Sequence, residues 1–260
     1  PYGQYKVMEL AANYVTVTLD GQGADEQLAG YHYFYGFYFK DLLKKMRLLR
    51  LISEISHYTK EHNSLYGLKT FLYFLLPSGM RSSIRVKERG YVDAAFSQKF
   101  AGNNLIADEL YGAGSLPEAL FNHFEYKLEH LLKWDDRNSM HFSLESRVPF
   151  MDYRLVQRSL ATNGDKIINK GYTKSLLRDA MKDLLPESIR MRKDKIGFGS
   201  PVDDWLRDKK FQKFITDLLT ESKTKNRGYI DTDISLKLYQ RHLSGELNIS
   251  KDIWKWINLE

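Results

Sequence analysis

The sequence predicts a mainly helical protein that retains a single β-strand. A β-branched run occurs once, at residues 15–19. Apolar residues recur at spacings of three and four through most of the chain beyond it, and a glycine turn joins the strand to a helix.

Residues 4–13 have helix-compatible spacing. Val15, Thr16, Val17, Thr18 and Leu19 then form a short run that stops at Asp20 and Gly21 and reads as one buried strand. Gly21-Gln22-Gly23 follows. Ala24, Asp25, Glu26, Gln27 and Leu28 next combine good helix propensity with carboxylates in the first turn, where they oppose the positive helix end. Beyond Tyr31 the strand signal fades, and helices are predicted over 37–58, 65–76, 116–133, 152–160, 172–184 and 202–220. Breaks fall at Pro77-Ser78-Gly79, from Gly112 to Pro117, at Asn163-Gly164-Asp165, and across the basic stretch from Arg190 to Pro201. Asp203 is placed to start the helix after Pro201 as a cap or first-turn acid.

With 260 residues, 43% hydrophobic and 13% aromatic, the chain can bury one sizeable core or two small ones. No run approaches the roughly 18 uncharged apolar residues that cross a bilayer, and PYGQYKVMEL lacks the basic-then-apolar order of a secretion signal, so a soluble cytoplasmic protein without a membrane partner is expected. The lack of cysteine excludes disulfides, Cys-ligated zinc and a thiol nucleophile within these residues. The histidines lie far apart with no HExxH-type spacing, and neither a GxSxG elbow nor a GxxxxGK loop is present. A net charge of +6 suits an anionic partner, either a phosphorylated small molecule or a nucleic acid. The charge is spread over amphipathic stretches such as DLLKKMRLLRLISEI, which a solvated helix face explains equally well.

A lone strand needs neighbours, so residues 15–19 are expected to belong to a larger parallel sheet whose other strands precede them. Asp252 to Glu260 reads as a Trp-containing amphipathic helix that stops without a cap, and the chain as a whole reads as a fragment. An open strand edge over an apolar face favours self-association, as in a homodimer.

Chemistry concentrates in three stretches. In LDGQGADEQLAGY, Gly21 and Gly23 let the backbone approach a ligand, and the following helix start favours an anion such as phosphate. A GxG turn also serves packing alone, and Asp25 and Glu26 suit either Mg²⁺ beside a phosphate or the helix dipole. In DDRNSMHFSLESRVPFMDYRLV, polar residues interrupt a helical pattern. A buried Glu145–Arg147 pair holding the helix end accounts for them, with Asp136 and Arg137 as caps or braces. In RMRKDKIGFGSPVDDWL, Arg190, Arg192, Lys193 and Lys195, together with Arg178, crowd a glycine-containing loop that suits a polyanion and its leaving group. A solvated loop is the alternative.

In this order and spacing, LDGQGADEQLAGY, SMHFSLESRVPFMDYRLV, TKSLLRDAMKDLLPESI and RKDKIGF resemble the C-terminal synthetase domain of glutamine-dependent asparagine synthetases. The match runs from about Gln4 to a terminal WKWINLE that looks like the family's closing helix. The resemblance implies the C-terminal portion of an ATP-pyrophosphatase α/β fold. Residues 1–30 would be a strand-turn-helix of the ATP-binding core, and 31–260 the helical remainder. It also implies a ligase that adenylates a carboxylate with ATP and Mg²⁺, then lets ammonia from an N-terminal glutaminase domain displace AMP. That domain's cysteine and the family's SGGxDS pyrophosphate loop do not occur here, so little synthesis is expected from these residues alone.

On matching positions, Asp25 would hold Mg²⁺ on the pyrophosphate, and Gly21 and Gly23 would shape the turn at the nucleotide. Arg192 and Lys193 would face the phosphates, and Lys195 would be the catalytic lysine. Gln22 stands where many asparagine synthetases carry a glutamate near the acyl group, which weakens aspartate as the substrate; relatives that make other amides carry the Gln form. Glu145, Arg147 and Asp152 match a motif read as architectural. Two other readings are an amide-forming cyclase, which Gln22 does not serve as a base, and a non-catalytic basic helical module binding nucleic acid.

Overall fold

The computed structural model describes residues 2–100, 105–194 and 200–259. The chain divides into two compact units, Pro1–Ser78 with Leu105–Phe198 and Gly79–Asn104 with Gly199–Glu260.

The first unit is organised around the helix Phe34–Lys44. Its sequence, FYGFYFKDLLK, places aromatic residues on nearly every side, and Phe34, Tyr35, Phe37, Tyr38, Phe39 and Leu42 are all buried. A helix apolar all round must be surrounded, and this one is packed by the helices Leu48–His62, Tyr66–Leu75 and Leu116–Tyr126. Phe37 stacks on Phe74 of the second of these with ring centroids 4.0 Å apart.

The stretch expected as one helix over 37–58 is two. The chain reverses at Met46, in the left-handed region at φ 55°, and the amide of Arg47 donates back to the Leu42 carbonyl at 2.9 Å, closing the first helix in the manner of a C-terminal cap. The expected helix over 116–133 is also divided, at Lys127, into Leu116–Tyr126 and Leu128–His141. The Lys127 ammonium lies 3.3 Å from the Tyr31 ring centroid and donates to the Tyr33 hydroxyl at 2.9 Å. This cation–π anchor holds the residue at the junction between the two helices.

The strand signal at 15–19 corresponds to β1, Val17–Leu19, but its environment differs from expectation. Its partner lies within the chain: β2, Glu145–Arg147, runs parallel with Val17 opposite Glu145, Thr18 opposite Ser146 and Leu19 opposite Arg147. Glu-Ser-Arg has no β-branched or aromatic residue, so its pairing was invisible to composition. Nor is β1 buried. Among the described residues it has this one neighbour, and Val17 and Leu19 are 37% and 74% exposed. The Glu145–Arg147 ion pair, 2.8 Å long, is on the surface and not in the interior; alternate strand residues share one face, which puts the two side chains together there. Asp152 caps the helix Tyr153–Leu160, accepting from the Arg154 amide at 2.9 Å.

The second unit has its own core of Leu206, Ile215, Leu219, Tyr239, Ile253 and Trp256. Its expected 202–220 helix divides at Asp208, whose carboxylate accepts from the Lys210 amide at 2.8 Å and so starts a new helix, Lys209–Thr220, after Val202–Arg207. Asp203 lies in the first turn of the earlier one. Among the described residues no helix is long and apolar enough to cross a membrane.

Candidate functional site

A cleft of about 410 Å³ opens in the first unit. One wall carries Asp25, from the short helix Ala24–Gln27 that follows the glycine turn, and Gly30. Gly23, the helix N-cap, sits at φ 89°, and a Cβ there would come within 2.7 Å of the Met151 sulfur, so the turn requires glycine. The helix is pinned by its buried residues. Glu26 accepts from the Tyr31 hydroxyl at 2.6 Å, and the Gln27 amide donates to the Phe150 carbonyl at 2.6 Å. Asp25, on the other side, is left lining the cleft.

Lys174 comes to Asp25 from a different segment. It is in the left-handed conformation, φ 55° and ψ 28°, its amide donates to the Leu28 carbonyl at 3.1 Å, and its ammonium lies 2.6 Å from Asp25 Oδ1. This approach is possible because residue 30 is glycine. A Cβ on Gly30 would fall 2.0 Å from Asp25 Oδ1 and 2.7 Å from Lys174 Cε.

The opposite wall is cationic. Arg178 from the helix Ser175–Ala180, Arg190 at the end of Glu187–Arg190, and Arg192 and Lys193 beyond it all line the cleft. Three of these carry a carboxylate partner. Arg190 makes a two-pronged contact with Glu187 at 2.8 and 2.7 Å, Arg192 a similar one with Asp194 at 2.8 and 2.9 Å, and Lys193 pairs with Glu61. Glu61 also accepts from the Tyr172 hydroxyl at 3.0 Å. The hydrogen bond to Glu61 holds the Lys193 ammonium above its ordinary pKa, and the same bond holds Glu61 below its own. The lining therefore carries Lys174, Arg178, Arg190, Arg192 and Lys193 against Asp25 and Asp194. With Glu187 and Glu61, the partners of Arg190 and Lys193, included, five cations face four carboxylates, a small positive excess in a concave site that suits an anion.

A second opening, of about 610 Å³, shares His32, His62, Lys193 and Asp194 with the first and adds Tyr58, Glu61, Ser64 and Tyr66. The His32 and His62 rings meet edge-on at 4.9 Å, and His62 Nε2 donates to the Gly171 carbonyl at 2.8 Å.

Of the residues singled out from sequence, Asp25, Arg192 and Lys193 come together in the cleft, whereas Gly21, Gln22 and Gly23 are not in its lining. Lys195 lies outside the described residues. Gly30, Lys174, Glu61 and Tyr172 escaped the motif reading. Gly30 and Lys174 do fall inside quoted motifs, Gly30 after the helix-forming residues 24–28 and Lys174 before those that start at Ser175. Among the described residues no trio of His, Asp or Glu is arranged to hold a metal ion. Mg²⁺ is commonly held by one or two carboxylates plus substrate phosphates; the carboxylates that line the cleft are Asp25, ion-paired with Lys174, and Asp194, ion-paired with Arg192.

The model of the Asparagine synthase family matches residues 1–260. Asparagine synthetase [glutamine-hydrolyzing] 1 of Bacillus subtilis (strain 168) is 27% identical over 96% of the chain, and asparagine synthetase [glutamine-hydrolyzing] 3 of the same organism is 26% identical over 76% of it. The chain spans 40% and 30% of the lengths of these two relatives. No solved structure gives a significant match. The family's ATP-pyrophosphatase fold accommodates a mainly helical chain with a small parallel sheet. The chain belongs to the asparagine synthase family.

Proposed function

We propose that the chain is part of a ligase that forms an amide by adenylating a carboxylate with ATP, and that the cleft holds the nucleotide's polyphosphate. The observation that carries this reading is the convergence of Asp25 with Arg192, Lys193, Arg190 and Lys174 on one concave surface. A substrate carboxylate oxygen attacks the α-phosphorus, and the bond to pyrophosphate breaks, giving an acyl adenylate. Ammonia then attacks the acyl carbon, the bond to AMP breaks, and nitrogen gives up a proton. Charge builds on the departing pyrophosphate, and fixed cations stabilise it without reorganising. Arg192, Lys193 and Lys174 supply that charge, and Lys195 is assigned the catalytic role at the α-phosphate. When Mg²⁺ is bound it neutralises the phosphate oxygens; Asp25 is the residue assigned to hold it. Gly21 and Gly23 shape the turn behind Asp25, and Gln22 faces the acyl group.

On this reading residues 1–30 belong to the ATP-binding core and 31–260 to the helical remainder. The second opening beside Lys193 gives the carboxylate room next to the phosphates. Ammonia comes from a glutaminase domain outside these residues, because the chain has no cysteine to act as the nucleophile. Calorimetric titration with ATP and Mg²⁺, comparing wild type with Lys193→Ala and Asp25→Asn, tests the assignment. Weaker binding in both variants supports it, and unchanged binding in both overturns it.

A further inference from the structure

Arg178 lines the cation-rich cleft, yet its guanidinium is spent on the protein's own backbone. Its Nε donates to the Thr173 carbonyl at 2.9 Å, Nη2 donates to the Arg192 carbonyl at 2.9 Å, and Nη1 donates to the Arg190 carbonyl. Arg190 answers in kind, Nη1 donating to the Arg178 carbonyl at 3.0 Å, while its other prongs hold Glu187. The two arginines thus clasp the segment 190–192 to the helix Ser175–Ala180 through each other's main chain.

A second restraint reaches the same segment through side chains. Arg178 lies 5.4 Å from the Tyr172 ring centroid, Lys193 lies 5.5 Å from the same ring, and Tyr172 and Lys193 both bond Glu61. Lys193 is therefore held at its backbone by the clasp one residue before it and at its ammonium by Glu61.

We infer that Arg178 is a positioning residue: it fixes the backbone of 190–192 so that the Lys193 ammonium meets the polyphosphate, and it is not itself a phosphate ligand. The inference rests on the proposed ligase reading. Planarity is what the role requires. One guanidinium can serve three carbonyls because its donors form a rigid fork, whereas a lysine ammonium keeps the charge and cannot span them.

Positioning can be separated from direct contact and from bulk stabilisation. Binding of inorganic pyrophosphate with Mg²⁺ is measured by calorimetry for wild type, Arg178→Lys, Lys193→Ala and the double variant, with thermal unfolding recorded for each. Arg178→Lys is expected to weaken binding about tenfold, the scale of one charge-assisted hydrogen bond. In the Lys193→Ala background the same substitution is expected to cost less than it does in wild type, because a side chain it positions is gone. Retention of wild-type affinity by Arg178→Lys overturns the inference, since a charged ligand would survive the exchange. So does an equal loss in both backgrounds, which marks a role independent of Lys193. Should Arg178→Lys fail to fold, Arg178→Gln, which keeps a donor but not the three-way fork, carries the same cycle and is read the same way. A wild-type protein that does not bind pyrophosphate overturns the ligase reading itself, an outcome distinct from wild-type binding with an unaffected variant.

Discussion

Substituting Gly30 by alanine is expected to disable the cleft while leaving the fold largely intact. The new Cβ would lie 2.0 Å from Asp25 Oδ1 and 2.7 Å from Lys174 Cε, so Asp25 must swing away by an ångström or more and abandon the 2.6 Å pair with Lys174. Both side chains are partly solvated, 25% and 29% exposed, so the lost pair contributes at most about 1 kcal/mol. Crowding adds about 1–3 kcal/mol if the surroundings resist, lowering Tm by several degrees at about 2–4 °C per kcal/mol for a protein of this size. Binding suffers more in proportion. Displacing the carboxylate and its lysine removes one or two charge-assisted contacts to a Mg²⁺-polyphosphate, a loss of about 10- to 100-fold in affinity. Calorimetric titration with ATP and Mg²⁺, alongside thermal unfolding, measures both. A Gly30→Ala protein that is folded and binds within twofold of wild type would show that the Asp25–Lys174 arrangement does not serve the ligand.

Two buried groups make stability depend on pH with opposite signs. His123 is fully buried; its Nδ1 donates to the Ala119 carbonyl at 2.7 Å, and burial drives its pKa down from 6.5 to about 4. The unfolded chain binds the proton more tightly, so about 3 kcal/mol of stability present above pH 6.5 is lost as pH falls through 4. Urea unfolding of wild type and His123→Phe at both ends of that window checks this; a stability difference independent of pH contradicts it. Asp135 is raised above its ordinary 3.8, chiefly by burial, with Asp20 and Asp136 adding to the effect. Here the folded state holds the proton more tightly, and stability declines as pH rises above 3.8. Asp135→Asn should therefore raise Tm near neutral pH relative to wild type and lose that advantage in acid; a lower Tm at neutral pH with no acid dependence would contradict the sign.

The helical character of the fold was legible because periodicity survives in any window long enough to show it, and Tyr66–Leu75 falls where apolar spacing over 65–76 put it. The junctions were not, because each is decided by a tertiary contact: the backbone turn at Met46, the cation–π anchor of Lys127, the cap at Asp208. The strand β2 was illegible for a related reason. Glu145, Ser146 and Arg147 take up extended pairing because β1 is beside them, with nothing in their own preferences to announce it. In the cleft, sequence order marked the basic segment but not the use of each charge. Arg178 was grouped with residues suited to a polyanion, and only the geometry shows its donors directed at carbonyl oxygens. Glu61 and Tyr172 lie 111 positions apart in the chain and meet through a hydrogen bond, a juxtaposition that no local pattern encodes.

The ligase reading is tested most directly by ATP–pyrophosphate exchange on the complete protein that carries this chain, assayed with aspartate and a panel of other carboxylates, for wild type and Lys195→Ala. The account predicts exchange that requires a particular carboxylate and collapses in the variant. Exchange that is absent, that needs no carboxylate, or that survives the substitution would contradict it.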